Sequence, residues 1–130
     1  MNKYGTSEKE ELAWAGGFFS GEGCTVCHIH KTRNERPYPF IHINQIHEEE
    51  LIRFNDAIGN LGNVIGPYIK KSNKLSKKPM WAINCYGYEK TKHILEMLWP
   101  YLSKAKQEQG LRVINQCKEY HEDEGLTIRY

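Results

Sequence analysis

A single glutamate between two glycines is the residue of this 130-residue chain best suited to chemistry. Residues 15–23 are Ala-Gly-Gly-Phe-Phe-Ser-Gly-Glu-Gly, and they close a stretch with helical patterning that begins near Ser7. The acid is Glu22, which lies in the last turn of that helix, where the helix dipole disfavours a negative charge. A cation should therefore compensate Glu22, and a divalent metal ion would do so.

The glycines around this acid also need a physical reason, because each one costs a helix interior about 1 kcal/mol relative to alanine. Residues four apart share one face of a helix. Two rows of small residues have this spacing, one formed by Ala13, Gly17 and Gly21 and the other by Gly16 and Ser20. Small side chains let two helices approach closely. We therefore predict that these five residues form a helix–helix seam that ends at Glu22.

Other elements must position this helix. Ser7 and Glu10 have capping-box spacing, which places the start of the first helix near residue 8, and Gly23 ends it. Hydrophobic periodicity predicts strands over 24–32, 37–46, 64–71 and 79–86, and helices over 48–61, 89–98 and about 103–122. Gly66-Pro67 predicts that the third strand is bulged or at an edge. The chain is expected to be one domain, 1–130, with a frayed tail from about 123 to 130.

Two helix–hairpin units in this order predict an α+β fold with four antiparallel strands in one sheet and the helices on one face. The nine residues at 15–23 resemble the motif of the LAGLIDADG homing endonucleases, in its form with two phenylalanines and Gly-Glu-Gly. Ser20 stands where that motif often has Asp, and Ala15 stands where it has Leu. The resemblance implies an αββαββα arrangement whose concave sheet face binds DNA. In that family the penultimate acid of the motif, here Glu22, binds the catalytic metal.

The resemblance implies a site-specific double-strand DNA endonuclease that hydrolyses phosphodiester bonds with a divalent metal. Mg²⁺ is the expected ion, Mn²⁺ is expected to substitute, and Ca²⁺ is expected to support binding without cleavage. Cutting both strands of a duplex needs two acids, and this chain has one motif. We therefore expect a homodimer packed through the first helix, acting on a long pseudo-palindromic site.

Two further residues are similar to the periphery of that family's active site. Gln45, at the predicted end of the second strand, resembles the polar residue that organises metal-bound water. Lys106 resembles the basic residue near the scissile phosphate, and Lys104 remains the alternative. A lysine at this position stabilises phosphoryl charge or polarises the attacking water.

The charge distribution favours a nucleic-acid surface more than the net charge of +2 does. Basic residues concentrate in the two hairpins, and acidic residues concentrate elsewhere. A two-stranded ribbon fits the major groove, and strand alternation selects the candidate contacts. Among them, Lys31 and Arg33 are expected to contact phosphates. The predicted DNA-binding residues are Val26, His28, His30, Lys31, Thr32, Arg33, Arg36, Tyr38, His42, Tyr68, Lys70, Lys78 and Asn84.

Two other functions compete with the endonuclease. An intron-splicing maturase or a DNA-binding regulator could use the same fold without cleavage, and an intron or intein context of the gene would support mobility or splicing. A small zinc protein would use Cys24 and Cys27, which have zinc-ligand spacing, with nearby histidines. In a strand, however, those two cysteines point to opposite faces, so reduced thiols are expected instead.

The chain has a polar start without a signal-peptide core, and its longest apolar stretch is far too short to cross a bilayer. We therefore expect a soluble intracellular protein that is not secreted and does not bind a membrane.

Overall fold

The computed structural model describes residues 2–29, 36–69, 78–121, 123 and 125–126. The helices are α1 (Glu8–Glu22), α2 (Glu48–Ala57), α3 (Tyr88–Leu98) and α4 (Lys104–Cys117). The strands are β1 (Gly23–His28), β2 (Tyr38–Gln45), β3 (Asn63–Tyr68) and β4 (Met80–Tyr86). Short 3₁₀ helices follow α3 at Trp99–Tyr101 and α4 at Lys118–His121. No helix in these described ranges is long and apolar enough to cross a membrane.

The first helix begins and ends where the sequence predicted. The Ser7 hydroxyl accepts a hydrogen bond from the Glu10 amide at 3.1 Å, and the Glu10 carboxylate accepts one from the Ser7 amide at 3.1 Å. This capping box satisfies two of the amides that a helix start leaves unpaired. At the other end, the Gly23 amide donates to the Phe19 carbonyl, and the chain turns directly into β1.

The four strands form one antiparallel sheet, as predicted, and their order in it is β1-β2-β4-β3. Gly23 is paired with Ile43, and Ile43 is paired in turn with Ile83. Because β3 is an edge strand with an irregularity between Ile65 and Tyr68, the predicted bulge and edge position are confirmed.

All helices pack on one face of the sheet, and the hydrophobic core lies between the two layers. Alternate residues of β2 and β4 point into it, while α1 contributes Phe19. The largest side chains without solvent exposure include Phe19, Ile41, Ile43, Leu51, Phe54, Ile83, Leu95, Leu98 and Ile114. On the opposite face, the described part of the chain places no helix, and this face is called the open face below.

Two helices are shorter than the predictions. The second helix ends at Ala57 rather than 61, because Gly59 and Asn60 both adopt positive φ, which breaks the helix. The last helix changes to 3₁₀ geometry after Cys117 rather than continuing to 122. Predicted strand residues 30–32 and 70–71 lie outside the described part of the chain.

Candidate functional site

Glu22 is the last residue of α1, and its side chain is exposed. The next residue, Gly23, opens β1, so the carboxylate lies where helix and sheet meet. A methyl group at Gly23 would lie 2.4 Å from the Phe19 ring, so only glycine allows this close junction. The last turn of α1 contains no basic residue to offset the dipole. Glu22 is therefore an accessible anion in a position that favours an added cation.

Gln45 is the last residue of β2, at the end of the sheet where β1 begins. Gly23 is paired with Ile43, and Gln45 is two residues beyond that pair along β2. Its side-chain oxygen accepts a hydrogen bond from the Ile46 amide at 2.8 Å. The side-chain nitrogen keeps its capacity to donate two hydrogen bonds, so Gln45 can still orient a polar group near this edge.

The start of α4 is held against the same junction by two hydrogen bonds. The Ser103 amide donates to the Ser20 hydroxyl at 2.8 Å, and the Thr25 amide donates to the Gln109 side chain at 3.0 Å. Lys106 lies in the sequence between Ser103 and Gln109, the residues that make these two bonds, and it is half-buried, whereas Lys104 is exposed. The ends of α1 and β2 and the start of α4 thus meet, and they carry the three predicted catalytic side chains.

One copy of the chain provides an incomplete oxygen-ligand set for a metal ion. Within the described ranges, no group of three His, Cys, Asp or Glu side chains is close enough to hold one. A lone exposed carboxylate still fits Mg²⁺, which often takes only one or two protein carboxylates and retains several waters. Glu22 would hold such an ion together with ligands from water, substrate or a second chain.

The five predicted seam residues of α1 divide into two groups. Gly16 packs within the chain, because a methyl group there would lie 2.4 Å from Tyr101 Cβ. The Ser20 hydroxyl donates to the Gly16 carbonyl at 2.8 Å and accepts from α4, so it is also engaged internally. Ala13, Gly17 and Gly21 are exposed. A methyl group at either of these glycines would meet no atom within 4 Å.

Strand pairing places six of the predicted DNA-binding residues on the open face. Three strands contribute one row in which Cys24, His42 and Asn84 are successive partners. His42 Nδ1 is hydrogen-bonded to Asn84 Oδ1, and Asn84 is only 8% exposed. The Tyr68 hydroxyl donates to Asn44 Oδ1 across β4. The six residues are Val26, His28, Tyr38, His42, Tyr68 and Asn84.

The other predicted contacts lie beside the sheet or outside the described residues. Arg36 precedes β2 and Lys78 precedes β4, and both are exposed. His30, Lys31, Thr32, Arg33 and Lys70 lie outside the described residues.

Sequence reasoning missed Phe40, Asn44 and Tyr86, which also lie on the open face. The signal was present: these residues alternate in phase with His42 and Asn84 along their strands.

The positions of Cys24 and Cys27 argue against the alternative zinc site, and all four cysteines are free. Cys24 Sγ is 3.7 Å from the His42 carbonyl oxygen on the open face, whereas Cys27 Sγ is 3.3 Å from Cys117 Sγ under α4. The two therefore point to opposite faces, as strand alternation predicts. Burial, and secondarily the contact with Cys27, raises the pKa of Cys117 to about 12, which keeps it a thiol at neutral pH.

A buried ion pair between α1 and α2 was not predicted from the sequence. Glu11 is only 4% exposed, and both its oxygens accept hydrogen bonds from Arg53, at 2.8 and 2.7 Å. The guanidinium also lies 4.2 Å from the centroid of the Trp14 ring. The Arg53 hydrogen bonds lower the pKa of Glu11 to about 2, against the opposing effect of burial. This pair fixes the N-terminal half of α1 against α2.

No protein-family model matches the sequence. No curated protein matches it either. Solved structures do match. The homing endonuclease I-CvuI, bound to the I-CreI target with Mg and with its DNA not cleaved, superposes with a TM-score of 0.63 at 19% identity. That alignment covers 82% of this chain and 65% of I-CvuI, so the chain spans slightly less than two thirds of that relative.

Two intron-encoded homing endonucleases in complex with DNA give similar results. The archaeal I-Vdi141I has a TM-score of 0.61 at 16% identity, with coverage of 95% of this chain and 89% of that one. I-CeuI, which is encoded by a group I intron, has a TM-score of 0.60 at 10% identity, with coverage of 87% of this chain and 56% of that one. The chain therefore has the α+β fold of the LAGLIDADG homing endonucleases.

Proposed function

We propose that this chain is a site-specific, metal-dependent double-strand DNA endonuclease. The observation that carries the proposal is the exposed Glu22 carboxylate, which a helix end delivers to the edge of an uncovered sheet face. The strand residues described on that face include no Asp or Glu, so the face is suited to a polyanion. The similar solved structures are homing endonucleases in complex with DNA, which supports the same use of this fold.

Each catalytic side chain has a role that its position supports. When bound near a scissile phosphate, a divalent cation aligns the attacking water and neutralises charge on the phosphoryl oxygens. Glu22 would hold the cation through its carboxylate. Gln45 would orient water through its side-chain nitrogen, and Lys106 would stabilise the negative charge that develops on the phosphate. Lys104 is the alternative to Lys106, although its greater exposure makes it more weakly oriented.

The proposed active form is a homodimer with two-fold symmetry. A single copy presents one Glu22, whereas cleavage of two strands needs two such acids. The exposed row of Ala13, Gly17 and Gly21 leads along α1 to Glu22. Packing of this row against its copy would bring the two carboxylates side by side at the DNA.

The test begins with selection of bound duplexes from a randomised library in Ca²⁺, followed by cleavage in Mg²⁺. We expect the Glu22→Gln variant to lose at least about 100-fold in cleavage rate. We also expect it to bind the selected duplex in Ca²⁺ within about threefold of the unmodified protein, because the substitution removes one charge without changing side-chain size. Glu89→Gln, an exposed acid on α3, is the matched control and should cleave normally.

Undiminished cleavage by Glu22→Gln would refute this mechanism. Duplex binding by the unmodified protein without cleavage would instead favour a DNA-binding regulator. Selective binding of intron RNA, measured in parallel, would favour a maturase.

A further inference from the structure

The open face carries a mainly aromatic patch in which two predicted DNA contacts, Val26 and Tyr38, adjoin two residues without an assigned role, Phe40 and Tyr86. We define the aromatic patch as Val26, Tyr38, Phe40 and Tyr86. Val26, Phe40 and Tyr86 are successive partners across β1, β2 and β4. The Phe40 and Tyr86 ring centroids are 5.4 Å apart, and Tyr38 meets Tyr86 edge-on at 6.4 Å. His28 adds a further ring, 5.1 Å from Tyr38.

This patch lies outside the hydrophobic core. Its members point away from the helices, and Tyr86, the last residue of the inner strand β4, is 51% exposed. The adjacent row on the same face is polar, with His42 and Asn84 hydrogen-bonded to each other. Contiguous apolar groups on a surface usually mark a contact with another molecule. The sheet face therefore offers two chemically distinct strips side by side.

Charge and shape indicate DNA as the partner of the aromatic patch, which rests on the proposed DNA-binding function. The described strand residues of the open face include no acid, and Arg36 lies two residues before Tyr38. Adjacent strands are about 4.8 Å apart, so the β1–β2 ribbon, which carries Val26, Tyr38 and Phe40, fits a major groove about 12 Å wide. Tyr86 lies beside Phe40 on the adjacent strand β4. A groove that accepts this ribbon places base edges against the aromatic patch.

The thymine C5-methyl is the apolar group that a base edge presents in the major groove. We propose that the aromatic patch recognises thymine through this methyl group, with Tyr86 and Phe40 as the principal contacts. The same methyl lies at the same position in 5-methylcytosine, so that base satisfies the patch as well. The hydrogen-bonded His42–Asn84 row beside it contacts the polar edge of the neighbouring base pair.

Replacement of single thymines by deoxyuridine tests the proposal directly, because it deletes the methyl and leaves every hydrogen-bonding group in place. The probe is the duplex selected in Ca²⁺, with each thymine replaced in turn. At one or two positions we expect binding to weaken about fourfold, the effect of one buried methyl group. At the same positions, replacement of cytosine by 5-methylcytosine in a duplex carrying C·G there should restore part of the lost affinity.

The protein variant is Tyr86→Thr, which keeps a strand-forming residue. It should bind the thymine and deoxyuridine duplexes equally at the sensitive positions. Tyr120→Thr is the matched control, because Tyr120 is also 51% exposed but lies in the 3₁₀ helix after α4. It should keep the full fourfold discrimination.

Each outcome is decisive. A deoxyuridine scan without a sensitive position, or discrimination that survives in Tyr86→Thr, overturns the aromatic-patch proposal while leaving the endonuclease proposal intact. Failure of the unmodified protein to select any duplex overturns both. Loss of self-association by Tyr86→Thr, measured by sedimentation without DNA, would show that a second copy of the chain covers the patch and would also overturn it.

Discussion

Two glutamates on α1 have opposite surroundings, and this difference separates their roles. Glu11 is buried, and both of its carboxylate oxygens accept hydrogen bonds from Arg53, so its charge is paired within the fold. Glu22 is exposed at the unfavourable end of the same helix. One acid therefore stabilises the position of α1, and the other remains available for an external cation.

Substitution of Glu11 should reduce stability in a pH-dependent way. Glu11→Gln leaves the Arg53 charge without its partner, and we expect a loss of about 2–3 kcal/mol in unfolding free energy at pH 7. The pKa of Glu11 is lowered to about 2, below its ordinary value of 4.5. The contribution of this carboxylate is therefore complete above about pH 4.5 and is lost as the pH falls towards 2.

Urea unfolding of both proteins between pH 7 and pH 2.5 measures this effect. The difference in stability between the unmodified protein and Glu11→Gln should shrink on acidification. Glu8→Gln, an exposed acid in the same helix, should change stability by less than about 0.5 kcal/mol. A stability difference that is constant with pH would contradict the assigned ion pair.

At the scale of the element, α1 uses its small residues for two purposes. Gly16 allows the 3₁₀ helix Trp99–Tyr101 to approach within the chain. Ala13, Gly17 and Gly21 leave a flat strip on the outside. The sequence predicted both rows from their four-residue spacing, but spacing alone does not distinguish an internal contact from an external one.

Substitution of two adjacent glycines separates these purposes. Gly17→Leu should leave the single chain as stable as before or more so, because leucine is a better helix former by about 0.8 kcal/mol. If α1 packs against its copy, the same change should weaken the dimer at least about tenfold by steric exclusion. Gly16→Ala should instead destabilise the single chain, since its methyl would clash with Tyr101.

Sedimentation equilibrium measures how tightly Gly17→Leu dimerises, and thermal unfolding measures the stability of Gly17→Leu and Gly16→Ala. The dimer seam would be misplaced if Gly17→Leu associated as tightly as the unmodified protein.

Local sequence patterns predicted most of the helices and strands, whereas contacts between residues far apart in the sequence could not be predicted from them. The capping box of Ser7 and Glu10 and the glycine after Glu22 fixed α1 correctly, because both signals act within a few residues. The Glu11–Arg53 pair joins residues 42 apart, and neither residue type is usually buried. Alternation puts Tyr86 in phase with Asn84 along β4, but its 51% exposure is a property of the folded sheet that the local pattern does not reveal.

At the scale of the whole molecule, the sheet separates two surfaces of different charge. The helix side carries acids in the first turns of α1 and α2, with Glu8, Glu48 and Glu49 among them. The open face carries no acid among its described strand residues, and basic residues precede β2 and β4. Although the net charge is only +2, the charges are unevenly distributed between the two sides, and the resulting electric field would orient the protein on DNA.

This separation makes a prediction that needs no knowledge of the target site. Binding of a labelled random-sequence duplex, followed by fluorescence anisotropy in Ca²⁺ from 50 to 200 mM salt, should weaken linearly on a log–log scale as counterions are released. Lys78, exposed before β4, should contribute one phosphate contact, so Lys78→Ala should lower the slope by about 1. Lys90→Ala removes an equally exposed lysine from α3 on the helix side and should leave the slope unchanged. An unchanged slope for Lys78→Ala would contradict the predicted phosphate contact. A reduced slope for Lys90→Ala would place the DNA on the helix side of the molecule rather than on the open face.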